Sequence, residues 1–209
     1  MPVNIKFILS NTILFILLMD PFGNLPLFIS ILRDTSSRRF RQIVLRECMF
    51  ALVLMILALF AGRTFMDILG LSTGILRLSG GLILLLMGIK MVFSTIAPDH
   101  SAAGMESNGK EPCIVPLAIP LICGPGTLAL LMGFLHSSPE ATAPNVLASV
   151  VLAWAGQGLI LFFGKKIASL LGNKLLDALE SLMGLLLTTI AIGMLVAGIQ
   201  EIYGVPASL

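Results

Sequence analysis

The chain has 209 residues, of which 57% are hydrophobic and 11% charged, and its mean hydropathy is +1.02. Soluble domains carry roughly a quarter charged residues, so the composition excludes a soluble globule and marks an integral membrane protein. A formal net charge of +2, with the basic residues in short loops rather than on one face, argues against a nucleic-acid partner.

A helical span needs about 20 mostly apolar residues, which predicts six, at roughly 5–32, 44–66, 75–97, 112–135, 143–164 and 179–201. The first is preceded by a single lysine, lacks a small-residue cleavage pattern and continues past Asp20, so it reads as a retained span and not a signal peptide. It is overlong because Met19-Asp20-Pro21-Phe22-Gly23-Asn24-Leu25-Pro26 interrupts it, placing a carboxylate, two prolines and a glycine at bilayer depth. A helix is broken in hydrocarbon only where the freed backbone groups meet protein, water or a ligand.

The loop that follows carries Arg33, Arg38, Arg39 and Arg41, with Arg46 just beyond, and its serines and threonine are N-cap candidates for the second span. Residues 98–111 are polar and rich in small side chains, and form a predicted cytoplasmic linker between halves 1–97 and 112–209. The fourth span is interrupted in its turn, at Cys123-Gly124-Pro125-Gly126-Thr127. After the fifth, residues 165–179 alternate basic and apolar, as an interfacial helix would. Of the 13 basic residues, all but Lys6, Arg63 and Arg77 fall on the side of the first, third and fifth loops. Because Lys and Arg accumulate in the cytoplasm, both termini are predicted extracytoplasmic. Cys48, Cys113 and Cys123 lie in or beside apolar runs without metal-like spacing, and read as buried small side chains.

The halves resemble each other. Pro21 matches Pro125, Gly62-Arg63 matches Gly164-Lys165, Leu69-Gly70 matches Leu171-Gly172, and Leu78-x-Gly80 matches Leu182-x-Gly184, all about 102–104 residues apart. Three spans per half turn the second half over in the bilayer, and such an inverted repeat places substrate sites where broken helices meet near midplane. The fold class is therefore an all-α membrane protein of two inverted three-helix repeats. Gly80, Gly81 and Gly184 suit close helix contacts.

The breaks carry the candidate chemistry. Asn24 and Thr127 are suited to cap helices restarting there, with Pro26 tolerated in a first turn. Two half-helix N-termini would then present N–H donors to a small anionic group, with Gly23, Gly124 and Gly126 leaving room at the backbone. Asp20 has two open readings, an ion-coupling carboxylate or a cap for the break. Arg77 and Glu180, near span ends, are read as gating or interfacial side chains, and Gln157 as an interhelical hydrogen-bonder or a contact of the site. His100 and His136 lie in loops and are not read as metal or catalytic residues, and no cofactor or metal is expected. Serine-protease, zinc-peptidase and paired-aspartate motifs are missing, so an enzyme is not expected.

The stretches MDPFGNLPLF, VPLAIPLICGPGTLA and ALESLMGLLL, with RLSGG at the third span, resemble the MarC family of bacterial inner-membrane proteins, closest to its YhgN-like branch, over essentially the whole chain. Two positions depart from it: Ser181 stands where relatives often have arginine, and some relatives have asparagine at the place of Asp20. The resemblance implies a multi-pass inner-membrane location. It also implies transport of glycine- or alanine-sized neutral amino acids, since the family is grouped with LysE-like exporters and an archaeal relative is described as a small neutral amino acid transporter. The expectation is a proton- or sodium-coupled secondary transporter of either direction, with homo-oligomerisation open; the alternative is a non-transporting sensor or scaffold.

Overall fold

The computed structural model describes residues 4–32, 35–94, 122–134 and 141–204. Among them run seven helices: α1 (Ile5–Met19), α2 (Pro21–Ile31), α3 (Ser37–Leu69), α4 (Thr73–Ser94), α5 (Pro125–Phe134), α6 (Ala143–Phe162) and α7 (Gly164–Tyr203). Five described segments are long and apolar enough to cross a bilayer: Ile5–Pro26, Ser37–Leu69, Thr73–Phe93, Ala143–Phe162 and Lys174–Tyr203. Of the predicted fourth span, α5 is the helical part described. Its first ten residues, 112–121, the linker 98–111 and Cys113 lie outside the described residues.

Local chemistry sets the helix ends. Asn4 caps α1 through its side-chain oxygen, which accepts from the Phe7 N–H at 3.2 Å. Ser36 does the same for α3 from the Arg39 N–H at 3.3 Å, so the first loop leads straight into the next span as its cap residues predict. At 33 residues, α3 extends about 50 Å, well beyond the roughly 30 Å hydrocarbon layer. Its inward face repeats at helical spacing through Phe40, Val44, Glu47, Ala51, Met55, Ala58, Gly62 and Met66. Gly70 ends it at φ 64°, its N–H turned back to Asp67 and Met66 carbonyls. The 40 residues of α7 bend at Gly172, whose φ of 72° and ψ of 164° lie outside the helical range. The segment before the bend, with Lys165, Lys166 and a largely exposed Leu170, is a short basic arm distinct from the long apolar helix after it.

The closest helix pair is α4 against α7, running antiparallel. Gly74 faces Gly198, Gly81 faces Ala191, and Gly88 faces Gly184, a seven-residue step on both helices that keeps one seam in register. A Cβ on Gly184 would lie 2.8 Å from the Gly88 carbonyl oxygen, and one on Gly198 would lie 2.8 Å from that of Gly74. Lipid tails are as apolar as Leu, so the attraction here is backbone-to-backbone packing. One end of the seam is locked by charge: Arg77 pairs with Glu201 at 3.3 Å, and Glu201 also accepts from the Thr73 hydroxyl.

Among the described residues, four of the five at positive φ form two pairs about 102–104 residues apart. Asp20 and Gly124 (φ 45° and 67°) are 104 residues apart; Gly70 and Gly172 (φ 64° and 72°) are 102 apart. Contacts recur in the same way, since Gly62 of α3 packs against Met132 of α5, and Gly164 of α7 packs against Leu25 of α2.

The seam generates a prediction. Gly184→Val places methyls against a backbone carbonyl that cannot rotate away, and is expected to cost about 1–3 kcal/mol, read as a lower unfolding midpoint in detergent. Gly193, beside which a Cβ meets nothing within 4 Å, is the control: Gly193→Ala should be neutral or stabilise by up to about 1 kcal/mol.

Candidate functional site: two helix breaks joined by one glutamine

The first break is a single residue wide. The Asp20 N–H bonds the Ile16 carbonyl at 3.0 Å and closes α1, while the Asp20 side chain accepts from the Gly23 N–H at 3.1 Å and opens α2. Asp20 thus ends one helix and caps the next, in a left-handed conformation that a short polar side chain tolerates through local hydrogen bonding. The restart expected at Asn24 therefore occurs earlier, at Pro21, because the carboxylate three residues before Gly23 supplies the cap. Asn24 lies in the first turns of α2 and donates its side-chain N–H back to the Met19 carbonyl at 2.8 Å. Pro26, expected in the break, sits inside α2. Gly23 is required sterically, since a Cβ there would collide with the Asp20 carboxylate and the Met91 methyl.

The second break follows a wide turn at Ile122–Cys123 and pivots on Gly124, with Pro125 opening α5. Prolines at the first position of α2 and of α5 fit a place where the backbone N–H has no helical partner. Thr127 does not cap α5 as expected; it is its third residue, and the Gly124 carbonyl accepts from the Leu128 N–H at 3.2 Å. The two breaks touch: a Cβ on Gly124 would come within 3.1 Å of the Leu18 carbonyl oxygen. Phe134, at the far end of α5, packs on Phe15 of α1 with ring centroids 5.4 Å apart.

Gln157 of α6 ties them together. Its side-chain nitrogen donates to the Met19 carbonyl at 3.3 Å and to the Ile122 carbonyl at 3.1 Å, so one amide satisfies an orphan oxygen on each break. Two carbonyls can only be met by the donor end of the amide, which turns the acceptor oxygen away from them. That oxygen, Gln157 Oε1, and the Thr127 hydroxyl are both wholly buried and have no hydrogen-bond partner among the described residues. Buried polar atoms left unpaired cost about 1–3 kcal/mol each, so their presence in one apolar layer is the chemical signature of the junction.

The other sequence-read residues divide. Glu180 is half-buried on α7, a helix that packs against α2. Gly126 faces Leu84 of α4, whose side chain fills the space that a Cβ would take. Arg77 stands apart, paired with Glu201, on the wall of a cavity of about 220 Å³ between α1, α4, α5 and α7 that also touches Leu14, Leu18, Leu130 and Met194. Among the described residues no three His, Cys, Asp or Glu side chains converge as a metal site.

Two features escaped the sequence reading. Glu201 is the partner that holds Arg77. Glu47 is 0% exposed on the inner face of α3, with Arg46 at 2.9 Å on one oxygen and the other oxygen unpartnered among the described residues. Its signal was present in the pattern, four residues before Ala51 and seven after Phe40 on a buried helical face.

The MarC family profile, described as MarC family integral membrane protein, matches residues 5–203. This chain belongs to the MarC family. An inner membrane protein named YhgN from Escherichia coli K12 is 44% identical over 92% of this chain and 96% of its own length. A membrane protein of Buchnera aphidicola from Schizaphis graminum is 42% identical over the same shares, and one of Chlamydia muridarum is 34% identical over 93% of each chain. No solved structure gives a significant match. With its apolar helices, this MarC protein is a multi-pass protein of the inner membrane.

The amide bridge is testable. Gln157→Leu keeps the volume but removes both donors, and should lower stability by about 1–3 kcal/mol. Asn24→Leu combined with it should cost more than the two singles added, because Met19 O then loses both of its side-chain donors. A double-mutant cycle on unfolding midpoints measures this coupling.

Proposed function

We propose that this MarC protein is a secondary transporter of small neutral amino acids, coupled to protons or sodium, built as six spans in two inverted repeats. The observation that carries the reading is the junction itself: two helix breaks held by one amide, with the Gln157 oxygen and Thr127 hydroxyl buried and unpaired beside them. Broken helices in corresponding halves form transporter sites because they supply unpaired backbone groups where no water reaches. The paired positive-φ residues at the repeat spacing and the reciprocal packing of Gly62 and Gly164 support the inverted-repeat part.

The breaks are not chemically equal, and the difference suggests how a zwitterion is held. At α2 the helix N-terminus already accepts a carboxylate, that of Asp20. At the matching place of α5 stands Gly124, which brings no side chain. The substrate carboxylate then takes the position at α5 that Asp20 takes at α2, drawn by the helix dipole and the Thr127 hydroxyl. The ammonium is received by the Gln157 oxygen. Asp20, buried in an apolar layer, is the carboxylate a coupling cation would neutralise. Leu84 closes over Gly126, so substrate passage requires it to swing aside, and side chains larger than alanine's are excluded there.

Binding is read as substrate-dependent thermal stabilisation of the purified protein, and transport as uptake of labelled glycine or alanine into liposomes. Thr127→Ala should weaken glycine binding by about 1 kcal/mol. Gly126→Ala should discriminate against alanine more than against glycine. Asp20→Asn keeps a capping oxygen and removes the titratable proton, so it should flatten the pH or sodium dependence of uptake while leaving the unfolding midpoint near that of the parent. Failure of every small amino acid to stabilise or cross would favour the scaffold reading. Topology is checked by reporter fusions at Leu209 and near Gly104, which the inverted repeat places on opposite sides of the membrane.

A further inference from the structure

Where α6 ends and the basic arm of α7 begins, the first turns of α3 close a cavity of about 330 Å³. Its cations come from two helices: Arg41 from α3, and Lys165 and Lys166 from α7. None of the described residues that line it is acidic. Aromatic rings hold two of the cations in place. Arg41 lies over the Phe162 ring at 5.6 Å, and Lys165 lies over Phe40 at 5.2 Å while donating to the Thr35 carbonyl at 2.6 Å. Among the described residues Arg41 donates its Nε to the Ser37 carbonyl, and Arg41 and Lys166 are both exposed, so their terminal nitrogens are the donors a bound phosphate would meet.

The level of the cavity matters as much as its charge. It sits at Phe162, the last residue of the apolar segment Ala143–Phe162, and the ends of apolar spans are where headgroups meet a membrane protein. Below it the surface is apolar: Leu45 and Met49 follow Arg41 down α3 at four-residue steps, and Leu159 and Leu152 descend on α6, all exposed. The two helices are fastened side by side beneath the cavity, where the Trp154 indole N–H donates to the Cys48 carbonyl at 2.7 Å. A phosphate held above and acyl chains laid on these strips would use both surfaces together.

We propose that this cavity is a binding site for the phosphodiester headgroup of an anionic phospholipid, with Arg41 and Lys166 as its phosphate ligands and Lys165 as the fixed positive charge behind them. Basic pockets between helices at the membrane surface take lipid headgroups because several cations meet one phosphate in a partly desolvated place. A free phosphate shares the headgroup chemistry but not the chains, and the test separates the two.

The experiment uses the full-length purified protein in a neutral detergent, with phosphatidylglycerol, phosphatidylcholine or inorganic phosphate titrated against the unfolding midpoint. Phosphatidylglycerol should raise the midpoint of the parent protein saturably, phosphatidylcholine should not, and inorganic phosphate should need at least a hundredfold higher concentration for half the effect. The double variant Arg41→Gln/Lys166→Gln, at two exposed positions, should unfold at the parental midpoint without lipid and require at least tenfold more phosphatidylglycerol. A charge-matched control, Arg63→Gln/Lys174→Gln, should respond as the parent does. Equal stabilisation by phosphatidylcholine, a full response to inorganic phosphate at lipid-like concentration, or equal loss in the control would each overturn the proposal.

Discussion

In a layer without water, every backbone group that a helix break releases must find a partner inside the protein. The arrangement of this MarC protein follows from meeting that demand twice at one place. Asp20 meets the first break locally, closing one helix with its N–H and opening the next with its carboxylate. Asn24 returns to Met19, and Gln157 reaches from a third helix to Met19 and Ile122 together. Because the same amide serves both breaks, a shift of α6 relative to either gives up a hydrogen bond, and α1 and the second break are held against each other. This ties the backbone of the junction together and leaves its unpaired atoms, among the described residues, on the Gln157 and Thr127 side chains.

The α4–α7 seam supplies the rigidity that the broken helices lack. Small residues at seven-residue steps on both helices of an antiparallel pair, all glycine except Ala191, bring backbones to contact along three levels, and an ion pair with a hydroxyl contact fixes one end. Leu84 projects from this seam onto Gly126, and Met91 onto Gly23, so the rigid pair braces the glycines of both breaks. The two breaks each turn on a residue at positive φ and differ in chemistry: a carboxylate stands at one helix start and a glycine at the other.

Charge is distributed by the same economy. Arg77 is answered by Glu201, and Glu47 by Arg46, each pair drawn from within the helices. In the basic arm before Gly172, Lys165 instead lies over the Phe40 ring and donates to the Thr35 carbonyl. The bend at Gly172 separates the two regimes, since a continuous helix would carry Lys165 and Lys166 along the axis of the apolar segment.

The two breaks, the repeat spacing and the apolar spans could be read from the sequence alone, because proline and glycine act on the backbone where they stand and hydropathy is a property of a window. Asp20 was legible as an exception on the same grounds, and the small residues of α4 and α7 as a stripe suited to contact. What the folded chain decided is partnership. That Asp20 rather than Asn24 caps α2, that Thr127 lies inside α5 with its hydroxyl unpaired, and that Leu84 fills the space beside Gly126 depend on the relative placement of elements. Gln157 is the clearest case: nothing near position 157 in the chain distinguishes a glutamine that bonds one neighbour from one that joins two breaks, since its acceptors lie 138 and 35 residues away. Glu47 and Glu201 are of the same kind. A charge near the end of an apolar run is read as interfacial from sequence, and even where helical spacing puts it on the inner face, as for Glu47, only packing reveals what stands opposite.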